Sequence, residues 1–398
     1  MALIPLGERP RPARPPTGFV PFALGFRPFF SLAALSGVIL ILLWLWLWQR
    51  SIPVSHYGTI GWHNHEMLFG FTSAIIAGFL LTAVRNWTGI DTPTGTPLAL
   101  LALLWLLGRL APFVPGMPPA GIVLLDLAFL PLLMVAVYNP LMAAENRINR
   151  IFLPLLAGMA LANLLVHGEA LGLAQTGRQG INLMIDLVML LIIIVSGRVL
   201  PFFAEKAIEG FNPRFSKMRE KLVLTAIGLW TVCELLLPLP WLMAGAAFTV
   251  AATQLWRIID WHHPRIWRLP ILWVLYTGLI WLIVGFILKS LASLGLFPGN
   301  LATHALTAGA IGVLTFGMMA RISLGHTGRD ITPPHAIAVS FVLLNLSALV
   351  RVFAPALLPE GYQHWIMLSG TGWVFSYLIF AVYYMKLLNS PRIDGRRG

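Results

Sequence analysis

Apolar runs close to twenty residues long recur from about residue 22 to about residue 386, and they decide the solvent this chain folds in. A helix of that length rises about 30 Å, the thickness of a bilayer's hydrocarbon core. Twelve such runs are expected as spans, near 22–48, 63–84, 97–112, 119–138, 151–167, 180–197, 221–238, 240–257, 269–290, 301–320, 335–354 and 363–386. Composition agrees: 58% of residues are hydrophobic and 11% charged, against roughly 25% charged in soluble domains. Mean hydropathy is +0.81. The chain is therefore expected to be an all-α polytopic membrane protein, about twelve transmembrane helices in one bundle, with the lipid bilayer as its first partner. The run beginning near Phe22 lacks a small-residue cleavage site followed by a polar mature chain, so it is read as a retained span.

A net charge of +12 invites a nucleic-acid reading, but the distribution of the charge answers it. With the N-terminus inside, every second loop collects the basic residues. All of the 27 Lys and Arg fall inside except Arg50, Arg109, Arg178, Lys289 and Arg351. The positive-inside rule then places both termini in the cytoplasm, and no nucleic-acid partner is needed. Residues 1–21, with the stretch LGERPRPARPPTG, are expected to be a disordered Pro/Arg-rich cytoplasmic tail. Residues 22–388 form one integral membrane domain and 389–398 a basic cytoplasmic tail. The loop FFAEKAIEGFNPRFSKMREK divides six spans from six and is too short to be a domain. Spans 2, 6 and 10 each end inside with an arginine, in TAVRNWTG, VSGRVLPF and MMARISLG. His65 to Gly89 and His304 to Gly328 are both 24 residues. Three repeats of four helices would produce this pattern, as would positive-inside chemistry and chance.

Cys233 is the only cysteine, which excludes an intrachain disulfide, a CxxC site and thioether-linked haem. The ten histidines sort by depth. His56, His63, His65, His167, His304 and His364 lie toward the outer side; His262, His263, His326 and His335 lie toward the inner side. His304 and His326 share a span, about 33 Å apart by helix rise, so no compact site uses both. The outer group is the denser one. His63 and His65 in WHNHEMLFGF stand about 200° apart on a regular helix, so they face different neighbours. His167 and His304 arrive at similar depth, and the acids Glu66, Asp126, Asp186 and Glu234 occupy outer halves of their spans. Neutral imidazole suits haem iron, copper or zinc, and buried acids serve proton relays or hold a ligand's second ring nitrogen. Interhelical hydrogen bonding without any metal is the alternative.

Span 10, HALTAGAIGVLTFGMMARISLGHTGR, is nearly bare along Ala305, Ala308, Gly309 and Gly312. Close helix contact or a flat cofactor would each use such a stripe. At its inner end Arg321 and His326 come near the level of Arg198, a set suited to haem propionates or another anion, or to plain cytoplasmic anchoring.

The blocks WHNHEMLFGF…AGFLLTAVRNWTG, ALANLLVHGEALG, SGRVLPFF and THALTAGAIGVLTFGMMARISLGHTGR, together with FALGFRPFF, resemble the NnrS family from about residue 22 to 386. That resemblance implies a twelve-span bacterial inner-membrane protein containing non-covalent haem b and copper, linked to nitric oxide metabolism and protection from nitrosative stress. Carried onto this chain, it points to His63, His65 and Glu66, then His167, Arg198, His304, Arg321 and His326. Glu66 is expected as a catalytic acid, and His63, His65, His167 and His304 as metal ligands. His65, His304, His326, Arg198 and Arg321 are expected at the haem. The reactive centre is expected around His65 and His304 at the outer face. Nitric oxide would be the ligand or substrate, with an electron donor that the sequence does not name. Three functions fit: an oxidoreductase of the nitric oxide reductase type, a haem- or copper-binding sensor or metal-handling factor, and a twelve-span secondary transporter.

Overall fold

The computed structural model describes residues 17–396, apart from 53 and 55; most of the expected N-terminal tail, residues 1–16, lies outside them. The protein is an all-α polytopic membrane protein, and no strand occurs among the described residues. Eleven helices are long and apolar enough to cross a membrane. They are α1 (Phe26–Arg50), α2 (Gly58–Thr88), α3 (Thr96–Phe113), α4 (Pro119–Ala143), α5 (Arg147–Ala170), α6 (Gly177–Ala207), α8 (Pro240–Trp261), α9 (Pro270–Ser293), α10 (Gly299–His326), α11 (His335–Leu357) and α12 (Pro359–Asn389). A helix, α7 (Lys217–Leu236), also covers the remaining expected span, but it is not among those apolar enough to cross a membrane. It falls short of the others in apolarity because Lys217, Arg219, Glu220 and Lys221 make up its start, capped by the Ser216 hydroxyl. The loop expected from residue 198 onward begins later than the sequence suggested. Its first residues extend α6 to Ala207, with Pro201 inside the helix and the good helix formers AEKA at its end.

The most interior helices are α2, α9 and α10: 89% of the α2 core window is buried, and 72% of those of α9 and α10. Helix α1 packs along both α2 and α12, and α12 along α11. The Trp373 indole on α12 donates to the Gly37 carbonyl on α1 at 3.1 Å. The periphery is apolar outward, with Leu100, Leu103 and Leu110 on α3 and Phe248 and Ile259 on α8 exposed, the arrangement that lipid requires.

Both central helices change winding at the same point. A π-helical segment, Glu66–Thr72, starts directly after His65, and a second, Ala305–Ile311, directly after His304. Each widened turn shifts the hydrogen-bond pattern by one residue, and nearby polar groups take up carbonyls that it frees. Thr72 Oγ1 donates to the Met67 carbonyl at 2.7 Å, and the Trp105 indole to that of Gly70 at 3.0 Å. Thr315 Oγ1 donates to Ile311 at 2.6 Å on α10. Gly89 and Gly328, the glycines 24 residues beyond each histidine, both have positive φ, 72° and 75°. The correspondence of α2 and α10 thus extends to backbone detail. It does not reach α6, which is helical throughout Gly177–Ala207 with no π segment.

The small-residue stripe of α10 divides. A Cβ on Gly309 would stand 2.6 Å from the Trp281 ring, and one on Gly312 2.5 Å from that of Trp373, so these two glycines admit tryptophans from neighbouring helices. Ala308 faces a cavity instead.

Candidate metal and cofactor sites

The outer histidines separate into two groups that share helix α2. The two-residue step from His63 to His65 turns the rings to opposite sides of that helix.

His65 enters a buried polar knot built from α2, α3, α4 and α5. Its Nε2 lies 3.0 Å from Asp126 Oδ2 and 3.1 Å from Asn163 Oδ1, and its Nδ1 lies 3.1 Å from Glu66 Oε1. His167 Nε2 reaches the same Asp126 oxygen at 2.9 Å, and its Nδ1 lies 3.2 Å from His56 Nε2. The Asn163 amide donates to Asp126 Oδ2 at 2.7 Å. Arg109 on α3 spans both acids, with Nε 3.2 Å from Glu66 Oε2 and Nη2 in contact with Asp126 Oδ1. Gly70 makes room for this, because a Cβ there would stand 2.9 Å from both Arg109 Nη1 and Glu66 Oε2. His65, Glu66, Asp126, Asn163 and His167 are all almost fully buried. Two carboxylates against one guanidinium leave a negative charge in excess, which burial penalises unless a further cation joins them. His65, Asp126 and His167 each offer one ligand atom, all within 4.8 Å of one another.

His56 precedes the first turn of α2, beside the knot. Burial, aided by the neighbouring His167 and His65, lowers its pKa from 6.5 to about 4, so it is neutral at physiological pH. It can then serve as a hydrogen-bond partner to His167.

His63 faces the other way, into a cavity of about 850 Å³. The walls include Trp44, Trp48, Phe71 and Trp373, with Arg178 and Arg351 as basic members. His63 stacks on Trp44 at 4.2 Å between ring centres. Its ring lies 6.5 Å from that of His304, with planes within 10° of parallel. His304 Nδ1 lies 2.7 Å from the Asn300 carbonyl oxygen, which makes Nδ1 the protonated nitrogen. Its Nε2 is left as acceptor and meets Arg351 Nη2 at 3.1 Å. Arg351 Nη1 is buried with no hydrogen-bond partner. Tyr57 joins the two groups: it lines the cavity, stacks on His65 at 4.3 Å, and places its hydroxyl 3.3 Å from His65 Nε2.

This geometry corrects the expected pairing of His65 with His304. His304 is matched with His63, while His65 is matched with His167 and Asp126. The inner set is also dispersed. Arg198 donates to Asn149 Oδ1 at 2.6 Å and lies over Phe152. Arg321 lies 3.5 Å from the centre of the Phe203 ring. His326 packs on Phe26 with its Nε2 3.4 Å from Asn86 Nδ2. None of these contacts joins the three to one another, so the contacts do not assemble an inner haem site. His262, His335 and His364 are exposed.

Sequence reasoning missed Arg109, Arg351, Tyr57 and Asn163. A signal for the two arginines was present, since both are among the five basic residues that break the positive-inside pattern. Tyr57 and Asn163 carried none, being ordinary interfacial and helical polar residues.

A search among curated proteins gives no match. The family model described as NnrS protein matches residues 20–392, which takes in all twelve helices and every residue of both groups. With nearly its whole length matched, the chain belongs to the NnrS family.

Proposed function

We propose that the protein binds haem and copper near the outer face of the bacterial inner membrane and handles nitric oxide there. The observation that carries this reading is the division of the histidines on α2: His63 toward His304 across the large cavity, His65 toward Asp126 and His167 in the knot.

The cavity residues fit a haem. His63 and His304 line this cavity and would be the residues to hold its iron. His63 and His304 are 6.5 Å apart. The aromatic walls suit a flat macrocycle; the Arg351 guanidinium, which contacts His304 Nε2 at 3.1 Å, would have to leave that nitrogen to iron and would then suit a propionate. The lone cysteine leaves no CxxCH attachment, so the haem would be non-covalent, the haem b that the family resemblance implies.

The knot residues fit copper. Two imidazole nitrogens and a carboxylate oxygen converge, and each ligand's other nitrogen is engaged: His65 Nδ1 by Glu66, His167 Nδ1 by His56. Orientation of this kind is what metal-bound histidines commonly receive. In this reading Glu66 is a positioning residue, because its second oxygen is occupied by Arg109.

When bound, the two metals would hold and polarise nitric oxide and pass electrons to it. The chain's own contribution is to aim His304 Nε2 into the cavity through Asn300, to brace His63 on Trp44, and to offset the Glu66 and Asp126 charges with Arg109. Reductive turnover would make the protein an oxidoreductase of the nitric oxide reductase type, supplied by a separate electron donor. Binding without turnover uses the same two sites. The basic bias of alternate loops supports cytoplasmic termini, with both sites on the periplasmic side.

The test is an absorption spectrum with metal analysis on purified variants. His63→Ala and His304→Ala should each lose the haem Soret band and keep copper. His65→Ala and His167→Ala should lose copper and keep haem. Full haem content in both cavity variants would overturn the assignment. Anaerobic nitric oxide consumption with a chemical reductant then separates turnover from binding.

A further inference from the structure

A second charged cluster lies in the outer half of the bundle, apart from both sites, where α6, α7 and α9 meet. Asp186 on α6 is 2% exposed. Its Oδ1 accepts from the Trp230 indole at 2.8 Å, and Thr231 lies beside the same carboxyl. Its Oδ2 is buried and accepts no hydrogen bond. Glu234, one turn beyond Trp230 on α7, places Oε1 3.4 Å from Lys289 Nζ on α9. The Lys289 ammonium stands 5.9 Å from the centre of the Trp230 ring.

The two carboxylates interact with each other as well as with the lysine. Their charges do not balance: two carboxylates, Asp186 and Glu234, share the single ammonium of Lys289. Inside a bilayer an uncompensated carboxylate is costly, and ionisable groups there are paired or ligated. Asp186 offers an open oxygen where the missing positive charge belongs. The Thr231 hydroxyl and the second Glu234 oxygen are further hard donors of the kind small cations take.

We propose that Asp186 and Glu234 form a binding site for one small monovalent cation, a proton or a sodium ion. The site is independent of the metal-binding reading. Helix α6 connects it to the large cavity, since Ile181, Asn182 and Ile185 line the cavity wall and Asp186 follows directly, turned toward α7. Occupancy of the site is therefore placed to bear on that wall.

The test uses the full chain in nanodiscs of neutral phospholipid, with radioactive sodium as the probe in one arm and infrared spectra in water and heavy water in the other. The sodium arm should show saturable binding of one ion per chain, or the infrared arm should show a neutral-carboxyl C=O band that shifts in heavy water. Whichever signal the wild type gives should vanish in Asp186→Asn and in Glu234→Gln, because either change leaves one carboxylate matched to Lys289. Lys289→Met keeps every oxygen and removes the internal cation, so it should increase the signal and guards against loss through misfolding. A wild type with neither signal, or a signal that survives both carboxylate substitutions, would overturn the site.

Discussion

At the scale of single residues, the two sites depend on a few side chains whose identities are hard to exchange. Gly70 is the clearest case. It is the only side chain small enough where Arg109 Nη1 and Glu66 Oε2 close in, each 2.9 Å from where a Cβ would be. Gly70→Ala should displace the guanidinium and cost roughly 1–3 kcal/mol, as overpacking of buried positions does. A thermal unfolding midpoint equal to the wild type's would contradict this. Glu66 is expected as a catalytic acid because it stands at the mouth of a span. In the structure its Oε1 lies 3.1 Å from His65 Nδ1 and its Oε2 forms an ion pair with Arg109 Nε at 3.2 Å. Glu66→Gln keeps the shape and removes the charge that holds His65, so copper affinity should fall about 10–100-fold, the usual loss when a ligand's hydrogen-bond partner is changed. Titration with a competing chelator measures it, and unchanged affinity would return Glu66 to the role of acid.

At the scale of elements, the π segments after His65 and His304 set the rotational phase between the outer and inner ends of α2 and α10. This is why the equal spacing of 24 residues mattered: both helices contain the same extra residue in the same place. The sequence could show the spacing but not the widened turn, since π and α segments have no distinct side-chain pattern over seven residues. The end of the chain is a further element whose order was not legible. Of residues 389–398, expected as a basic cytoplasmic tail, those described, 389–396, dock on the start of α1 and the end of α10. Arg27 donates to the Leu388 and Ser390 carbonyls at 2.8 and 2.6 Å, Arg392 to that of His326 at 2.9 Å, and the Ile393 amide to that of Thr327 at 3.1 Å. Asp394 receives Arg392 through two bonds of 2.9 and 2.6 Å, which lowers its carboxyl from 3.8 to about 2. A carboxyl lowered in the folded state stabilises docking above its ordinary pKa and ceases to do so as pH falls through the lowered one. The segment should therefore stay docked at neutral pH and loosen between about 3.8 and about 2. A spin label at position 396 should report this as rising mobility, and Asp394→Asn should show the mobile spectrum already at neutral pH.

At the scale of the whole molecule, the orientation in the bilayer is a prediction of its own. Reporter fusions after Arg150, near Lys217 and at the C-terminus should all report cytoplasm, because the basic residues concentrate on that side. A periplasmic signal at any of them would invert the depth of every histidine. Architecture was the most legible layer: run length alone gives twelve spans, and a helix stands at each, eleven of them apolar enough to cross a membrane. The site was legible as a list of residues but not as a set of partners. His63, His65, His167 and His304 could be placed at one depth from helix rise, yet which ring faces which depends on how α2 turns between α1, α4, α5 and α10. Arg109 and Arg351 were visible as exceptions to the charge rule, and that exception is the most useful sign the sequence offered of basic groups bound to a task.

The pairing of α1 with α12 has a consequence for how the protein is made. Ribosomes emit roughly 5–20 residues per second, so the 398-residue chain takes about 20–80 s to emerge. Helix α1 enters the membrane near the start of that interval, while the Trp373 that hydrogen-bonds Gly37 and the segment that receives Arg27 emerge near its end. Until then the Leu388 and Ser390 carbonyls that receive Arg27 are still unsynthesised, and α10, which supplies His304, emerges only in the last third of the interval. The pocket is therefore closed only after translation, and any cofactor it takes must be delivered to an almost finished protein.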